Sequence, residues 1–391
     1  MQLFSSALHD AGFDVYAIDL PGHGDSTAGF NGVLAAKVVE QAVAILKPDI
    51  AAGHSMGASL LIDLAHSSRI GKLVLMSPGP TEVNDLEFNS TLVTSERFDI
   101  PAVNAFVPQL EGADRKKFTW GMHSSAPFEP PQIREIVKWL GGDPNLLRTG
   151  KRMACLGLMF GGAVAVGVVL LPRRSSVAHY NPIFSKADVV LCYVLAGALS
   201  LIVQHFVVVL RWIHVFAMDY VVSFFLVAGL ALIVILARKQ KRPIVDVGAI
   251  VIGLAAAAYV IVFLGLLAGS HLIHVTLPDG RWWRFIVIAA ASFPLFLFDE
   301  SVTRAVGNRR QNAGIGIVTR LLITACITTG VLLFNRESAF IVLLMALFPF
   351  FWIALWFATG LVARHVQNPI AAALFAALVQ GWMFAAWFVI V

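Results

Sequence analysis

Ile50-Ala51-Ala52-Gly53-His54-Ser55-Met56-Gly57-Ala58-Ser59-Leu60-Leu61-Ile62-Asp63-Leu64-Ala65 runs from a short apolar strand (Ile50 to Ala52), through a tight turn, into a helix (Ala58 to Ala65). The small residues Gly53 and Gly57 let the strand reverse into the helix within a few positions, which lifts the Ser55 hydroxyl clear of the sheet. Ser55 is therefore the candidate nucleophile. The competing reading is a serine that only caps the following helix.

Around this turn the first 150 residues alternate between strand and helix patterns. Leu3 to Ala11 reads as a helix, Asp14 to Asp19 as a strand and Val33 to Leu46 as an amphipathic helix. Beyond the turn come strands at Lys72 to Met76 and Thr91 to Ser95, a helix at Ala102 to Leu110, a strand at Lys116 to Trp120 and a closing helix at Pro131 to Leu140. This alternation predicts a mostly parallel sheet with helices on its faces.

Composition changes sharply after Gly150. Residues 1–150 carry 11 Lys and Arg against 17 Asp and Glu, a net of −6; residues 151–391 carry 18 against 7, a net of +11. The sequence pI of about 9.2 is thus a sum of two unlike halves and gives no reason to expect a nucleic-acid partner. A hydrophobic content of 58% and a mean hydropathy of +0.77 point to a lipid bilayer. Eight apolar runs can each cross a hydrocarbon core as a helix of about 20 residues. They are Met153 to Leu171, Val189 to Leu210, Val215 to Ala237, Val247 to Ser270, Trp282 to Phe298, Ala313 to Phe334, Ser338 to Ala363 and Pro369 to Val391. Arg320 within the sixth run reads as a snorkelling cation. The domains expected are an α/β unit over 1–145 and a transmembrane helical bundle over 146–391. All three cysteines lie in apolar stretches and predict no disulfide.

Asp19-Leu20-Pro21-Gly22-His23-Gly24-Asp25-Ser26, followed by Gly53-His54-Ser55-Met56-Gly57, resembles the α/β-hydrolase superfamily, and within it the monoglyceride-lipase and serine-aminopeptidase-like branch. The resemblance covers about residues 1–142. It implies a catalytic order of nucleophile, acid, histidine: Ser55 as nucleophile, Asp99 as the orienting carboxylate and His123 as general base and acid, with the N–H of Met56 as an oxyanion donor. A serine hydroxyl is a poor nucleophile until an imidazole takes its proton, and the imidazole needs a carboxylate to fix its tautomer. Glu96 and Asp114 are rival acids; His54 and His23 are rival bases, with His54 expected to point back toward the sheet. No cofactor or metal is implied. The short Ser77 to Ser90 connection leaves no room for a helical lid. The resemblance also implies a strand and a His-Gly-type loop ahead of the first helix, so the chain reads as N-terminally truncated, lacking one oxyanion donor and a central strand. The alternative to truncation is that the Asp14 to Asp19 and Ile50 to Ala52 strands pair directly; truncation is favoured because unpaired central strands would bury unsatisfied N–H and C=O groups.

Loop cations number eleven on one side of the eight runs and seven on the other, the latter including Arg211, Arg281, Arg284 and Arg336. The positive-inside rule then puts the α/β unit on the non-cytoplasmic face of a cell membrane. Polar residues in or beside the runs are Gln204, His205, His214, Asp219, His271 and His274. They read as interfacial histidines with an interhelical hydrogen bond, and a metal pair at His271 and His274 is the sharper alternative. Asp299 and Glu300 beside Arg304 read as a solvated cluster. The whole chain is expected to be a membrane-tethered serine hydrolase acting on a small-molecule or lipid ester through an acyl-enzyme. The alternatives are a transporter or scaffold with a non-catalytic binding domain, and an acyltransferase.

Overall fold

The computed structural model describes residues 2–65, 70–83, 88–172, 184–239, 245–269, 277, 280–305, 308–335, 344 and 347–391. It has two compact units, one made largely of Met1–Leu158, the other largely of Met159–Gly269 and His274–Val391.

The first unit opens with helices α1 (Gln2–Asp10) and α2 (Gly32–Leu46), then β1 (Ile50–His54), α3 (Met56–Ala65), β2 (Lys72–Met76), β3 (Thr91–Phe98), α4 (Pro101–Phe106), β4 (Asp114–Met122) and α5 (Pro130–Leu140). The strands pair in the order β1-β2-β3-β4, every pair parallel. Side chains alternate across a strand, so Leu73 and Leu75 of β2 face one side while Val74 and Met76 face the other, all four buried. The first side packs on α3 and α4 through Ala58, Leu61, Ile62, Val103 and Phe106. The second packs on α1 and α5 through Leu3, Phe4, Ile133, Ile136 and Val137. Each of the larger side chains, Val, Leu, Ile and Phe, contributes about 1.5–3 kcal/mol by leaving water. The helix expected to run to Leu110 stops at Phe106 and continues as a 3₁₀ turn, Val107–Gln109, because Pro108 has no N–H for the α-helical ladder.

The strand expected at Asp14 to Asp19 does not form. Residues 13–20 make no ladder with any described strand, and β1 is the edge of the sheet. The alternation itself is genuine: Phe13 and Val15 pack on the core, whereas Tyr16 and Ile18 are exposed. A strand also needs a hydrogen-bonded neighbour, and the direct pairing with β1 is not made. The segment ends in its own turn instead, where the Asp19 carboxylate accepts from Asp25 N at 3.0 Å.

Among the described residues eight helices follow that are each long and apolar enough to cross a membrane: α6 (Thr149–Leu170), α7 (Lys186–Phe206), α8 (Met218–Lys239), α9 (Val247–Gly269), α10 (Trp282–Val302), α11 (Arg309–Phe334), α12 (Leu347–Val366) and α13 (Pro369–Trp387). The division between the units falls inside α6. Alanine-rich α13 is the most enclosed, packed against α10, α9 and α12, while α9 keeps most of its apolar surface uncovered.

Two expectations about charge do not hold. Asp299 and Glu300 are not solvated: they are 0% and 1% exposed. Asp299 receives two hydrogen bonds from the Arg320 guanidinium and one from Tyr193 Oη at 2.7 Å. Glu300 is held by Arg304, which also donates to the Trp356 carbonyl at 2.8 Å. Both guanidinium groups lie over the Trp356 ring, at 4.5 and 5.7 Å. Arg320 therefore does not snorkel; it is 3% exposed, because a charge amid apolar helices is stabilised best by an internal counter-charge. Arg281 is likewise buried, donating to the carbonyls of Ala385 and Phe388 at the end of α13. Gln204 bonds to Ser200 on its own helix, Asp219 accepts from Tyr220 N, and the His205 ring meets Phe206 and Phe334, so the expected interhelical bond is not among these contacts. His271, His274, Arg336 and the beginning of the Ser338 run lie outside the described residues.

Candidate active site

β1 ends at His54 and α3 begins at Met56, so Ser55 alone makes the reversal, at φ +52. Such a conformation costs a non-glycine residue about 1–3 kcal/mol. Gly53 makes the turn sterically feasible: a Cβ there would come within 2.5 Å of the Gly57 carbonyl carbon and 2.6 Å of Ala58 N. Ser55 N donates to Met76 O at 2.9 Å, extending the β1–β2 ladder by one bond and pinning the strained residue. The same device recurs next door, where Ser77 (φ +46) follows β2 and donates its N–H to Thr94 O at 2.8 Å.

The C-terminal ends of the parallel strands thus deliver their side chains to one rim. Asp99 follows β3, and four donors converge on its carboxylate. Oδ1 accepts from His123 Nδ1 at 2.7 Å and Ile100 N at 2.9 Å. Oδ2 accepts from Ser77 Oγ at 2.6 Å and Glu96 N at 3.4 Å. With Nδ1 of His123 donating to a carboxylate, Nε2 carries the lone pair, and Ser55 Oγ donates to it at 2.8 Å. The structure therefore brings Ser55, His123 and Asp99 into one hydrogen-bonded relay. Asp99 and His123 are buried and Ser55 is half-buried. Burial works against the Asp99 charge, but the hydrogen bonds from His123 and Ser77 outweigh it and hold the carboxyl below its usual range. Met56 opens α3, so its N–H is one of the first-turn donors that a helix leaves free of internal partners, directly beside Ser55.

The rival residues do not join the relay. Asp114, at the start of β4, accepts from Trp139 Nε1 at 2.7 Å. His23 bonds to the Pro21 carbonyl in its own turn. Glu96 is buried and touches the relay only through its backbone. His54 lies beside the relay: its ring is 5.2 Å from that of His123, and its Nε2 donates to the His123 carbonyl at 2.7 Å. Burial pushes it down to about 4, and the neighbouring His123 pushes the same way, so it stays a neutral donor.

Ser77 escaped the sequence reading. Its signal was positional: it is the first residue beyond the strand next to β1, and in parallel sheets such ends converge. Among the described residues no cluster of three or more His, Cys, Asp or Glu could hold a metal ion.

A family model described as "Alpha/beta hydrolase family" matches residues 1–197, just over half of the chain, and so extends beyond the sheet into α6 and α7. No curated protein and no solved structure matches the chain.

Proposed function

Because the chain belongs to the alpha/beta hydrolase family, we propose that it is a membrane-tethered serine hydrolase that cleaves a carboxylic ester of a hydrophobic acyl substrate. The observation that carries this reading is the continuous path from Ser55 Oγ through His123 to Asp99, with bonds of 2.8 and 2.7 Å.

Ser55 Oγ attacks the ester carbonyl carbon while its proton passes to His123 Nε2. The electron pair displaced onto the carbonyl oxygen is met by the N–H of Met56 at the positive end of α3. Collapse of the tetrahedral species breaks the bond to the alcohol, which leaves with the proton from His123. Water then repeats the sequence on the acyl-serine, giving the acid and free Ser55. Asp99 stays ionised throughout and stabilises the transient imidazolium. The eight apolar helices supply the tether, and the monoglyceride-lipase-like motifs favour a lipid-derived ester that arrives from a bilayer.

Labelling of the full chain with a fluorophosphonate tests the proposal. Attachment at Ser55, abolished in Ser55→Ala, is the expected result, together with acid release from a medium-chain ester by the unmodified protein. A folded protein that takes no label, or one that still labels after Ser55→Ala, overturns it.

A further inference from the structure

Glu96 is 0% exposed, and no donor group hydrogen-bonds to either of its carboxyl oxygens. A bare carboxylate in that setting would be far more costly than an unpaired neutral group. A second carboxyl stands beside it. Gly121 of β4 has φ +132, and a Cβ added there would lie 2.6 Å from Glu96 Oε2 and would overlap Glu129 Oε1. The two acids thus meet over the same glycine. Two carboxyls at such a place cannot both be ionised cheaply, and their surroundings divide the roles. Glu129 is the residue that caps the N-terminus of α5, where the helix dipole favours an anion, and it accepts a hydrogen bond from Ser125 Oγ at 2.5 Å. Glu96 has neither advantage. The charged groups acting on it are Glu129, from α5, and Asp99, from its own turn, both acidic.

Each acid is also joined to the catalytic relay. Glu96 N donates to Asp99 Oδ2 at 3.4 Å and Glu96 O accepts from Asp99 N at 3.2 Å. On the other side, Ser125 Oγ bridges Glu129 to the backbone of Met122, accepting from its N–H at 2.9 Å, immediately before His123. From this arrangement we infer that Glu96 is a positioning residue: a neutral acid that donates its hydroxyl hydrogen to the Glu129 carboxylate across Gly121, tying the turn that holds Asp99 to the turn that holds His123. Burial, reinforced by Glu129, raises the Glu96 carboxyl to about 8. The link is therefore made at neutral pH and is lost in mild alkali, when two like charges push the turns apart. The inference rests on the serine-hydrolase reading for its effect on rate, though not for the bond itself.

The test uses the full chain in detergent and follows fluorophosphonate inactivation and thermal unfolding from about pH 5 to about pH 10, spanning the Glu96 transition near 8. Glu96→Ala should slow the inactivation step at pH 7 roughly ten- to a hundredfold, as expected for misplaced reacting groups, with the reagent's apparent binding constant unchanged. Glu96→Gln, which keeps a donor towards Glu129, should restore that step and remove the alkaline fall shown by the unmodified protein. In unfolding, the native state binds the extra proton between the ordinary carboxyl range and about 8, so stability is full below that window and declines as pH rises through it. Glu96→Gln should lack this decline. Melting profiles of the unmodified protein and Glu96→Gln that run parallel across the window refute the shared proton. An alkaline fall in inactivation that persists in Glu96→Gln refutes its effect on the relay. A decline abolished by millimolar Ca²⁺ would mean a bridging cation and also overturn the inference. If Ser55 takes no label at any pH, the hydrolase reading fails, and the melting profiles alone decide whether the acids share a proton.

Discussion

Asp99→Asn separates two jobs of the carboxylate, orienting His123 and neutralising it. An amide has one accepting atom, its oxygen, and a nitrogen that only donates, whereas the site presents four donors. Were the amide nitrogen to take the Oδ1 position, it would face two N–H groups, His123 Nδ1 at 2.7 Å and the immovable Ile100 N at 2.9 Å. At the Oδ2 position it faces Ser77 Oγ, a hydroxyl that can rotate to accept, and a long contact from Glu96 N. The nitrogen should therefore sit towards Ser77, leaving oxygen on His123 and the productive tautomer intact. What is lost is the negative charge beside the imidazolium. At about 4 Å and an effective dielectric of about 20, that attraction is about 4 kcal/mol, which is roughly 10³ in rate. Asp99→Ala removes the acceptor altogether and strands Ile100 N and Ser77 Oγ, so its loss should reach about 10⁴ or more, the scale seen when a triad histidine holds the wrong tautomer. The assay is the second-order rate of fluorophosphonate inactivation near pH 7.5, with folding checked by thermal unfolding. Asp99→Asn as slow as Asp99→Ala would refute the placement of the amide. Asp99→Asn within tenfold of the unmodified protein would refute Asp99 as the acid.

Other outcomes follow from single contacts. His54→Phe removes the donor to the His123 carbonyl; an unsatisfied buried acceptor costs about 1–3 kcal/mol, and inactivation of Ser55 should slow roughly five- to a hundredfold. Since the neutral form of His54 is favoured down to about 4, the folded state resists its protonation. Stability from this group is complete above the ordinary histidine range and is lost as pH falls through that range towards 4; calorimetry should find this acid-side decline reduced in His54→Phe. Arg320→Met leaves Asp299 charged and enclosed, a loss of about 3–5 kcal/mol. The double change Arg320→Met with Asp299→Asn should recover most of it in detergent melting experiments, and a double variant no better than the single one would refute the pairing.

The turn was legible because its chemistry is local: Gly53, Ser55 and Gly57 are neighbours along the chain, and the apolar strand before them and helix pattern after them gave that spacing its meaning. Asp99 and His123 became visible once a family resemblance placed them beyond successive strand ends. Ser77 did not, since a serine after a strand is common and its importance comes from a neighbour 22 positions away. Helix positions along the apolar half were legible from run length. Which faces of those helices carried charges inward was not, because Asp299 and Arg320 are partners separated by a loop and by 21 positions. The failed strand at Asp14 to Asp19 has the same origin: alternation reveals which side of a segment is covered, while a ladder depends on what lies alongside.

The pairing of Asp299 with Arg320 has a consequence for biogenesis. Glu300 and Arg304 are one helical turn apart and can neutralise each other while α10 emerges alone. Asp299 finds its guanidinium only on α11, and an isolated Asp or Arg costs about 2.5–3.5 kcal/mol at the centre of an inserting helix. On the membrane reading, α10 and α11 should leave the translocon as a hairpin, and in nascent chains halted between them α10 should remain crosslinkable to the translocon until synthesis passes Arg320.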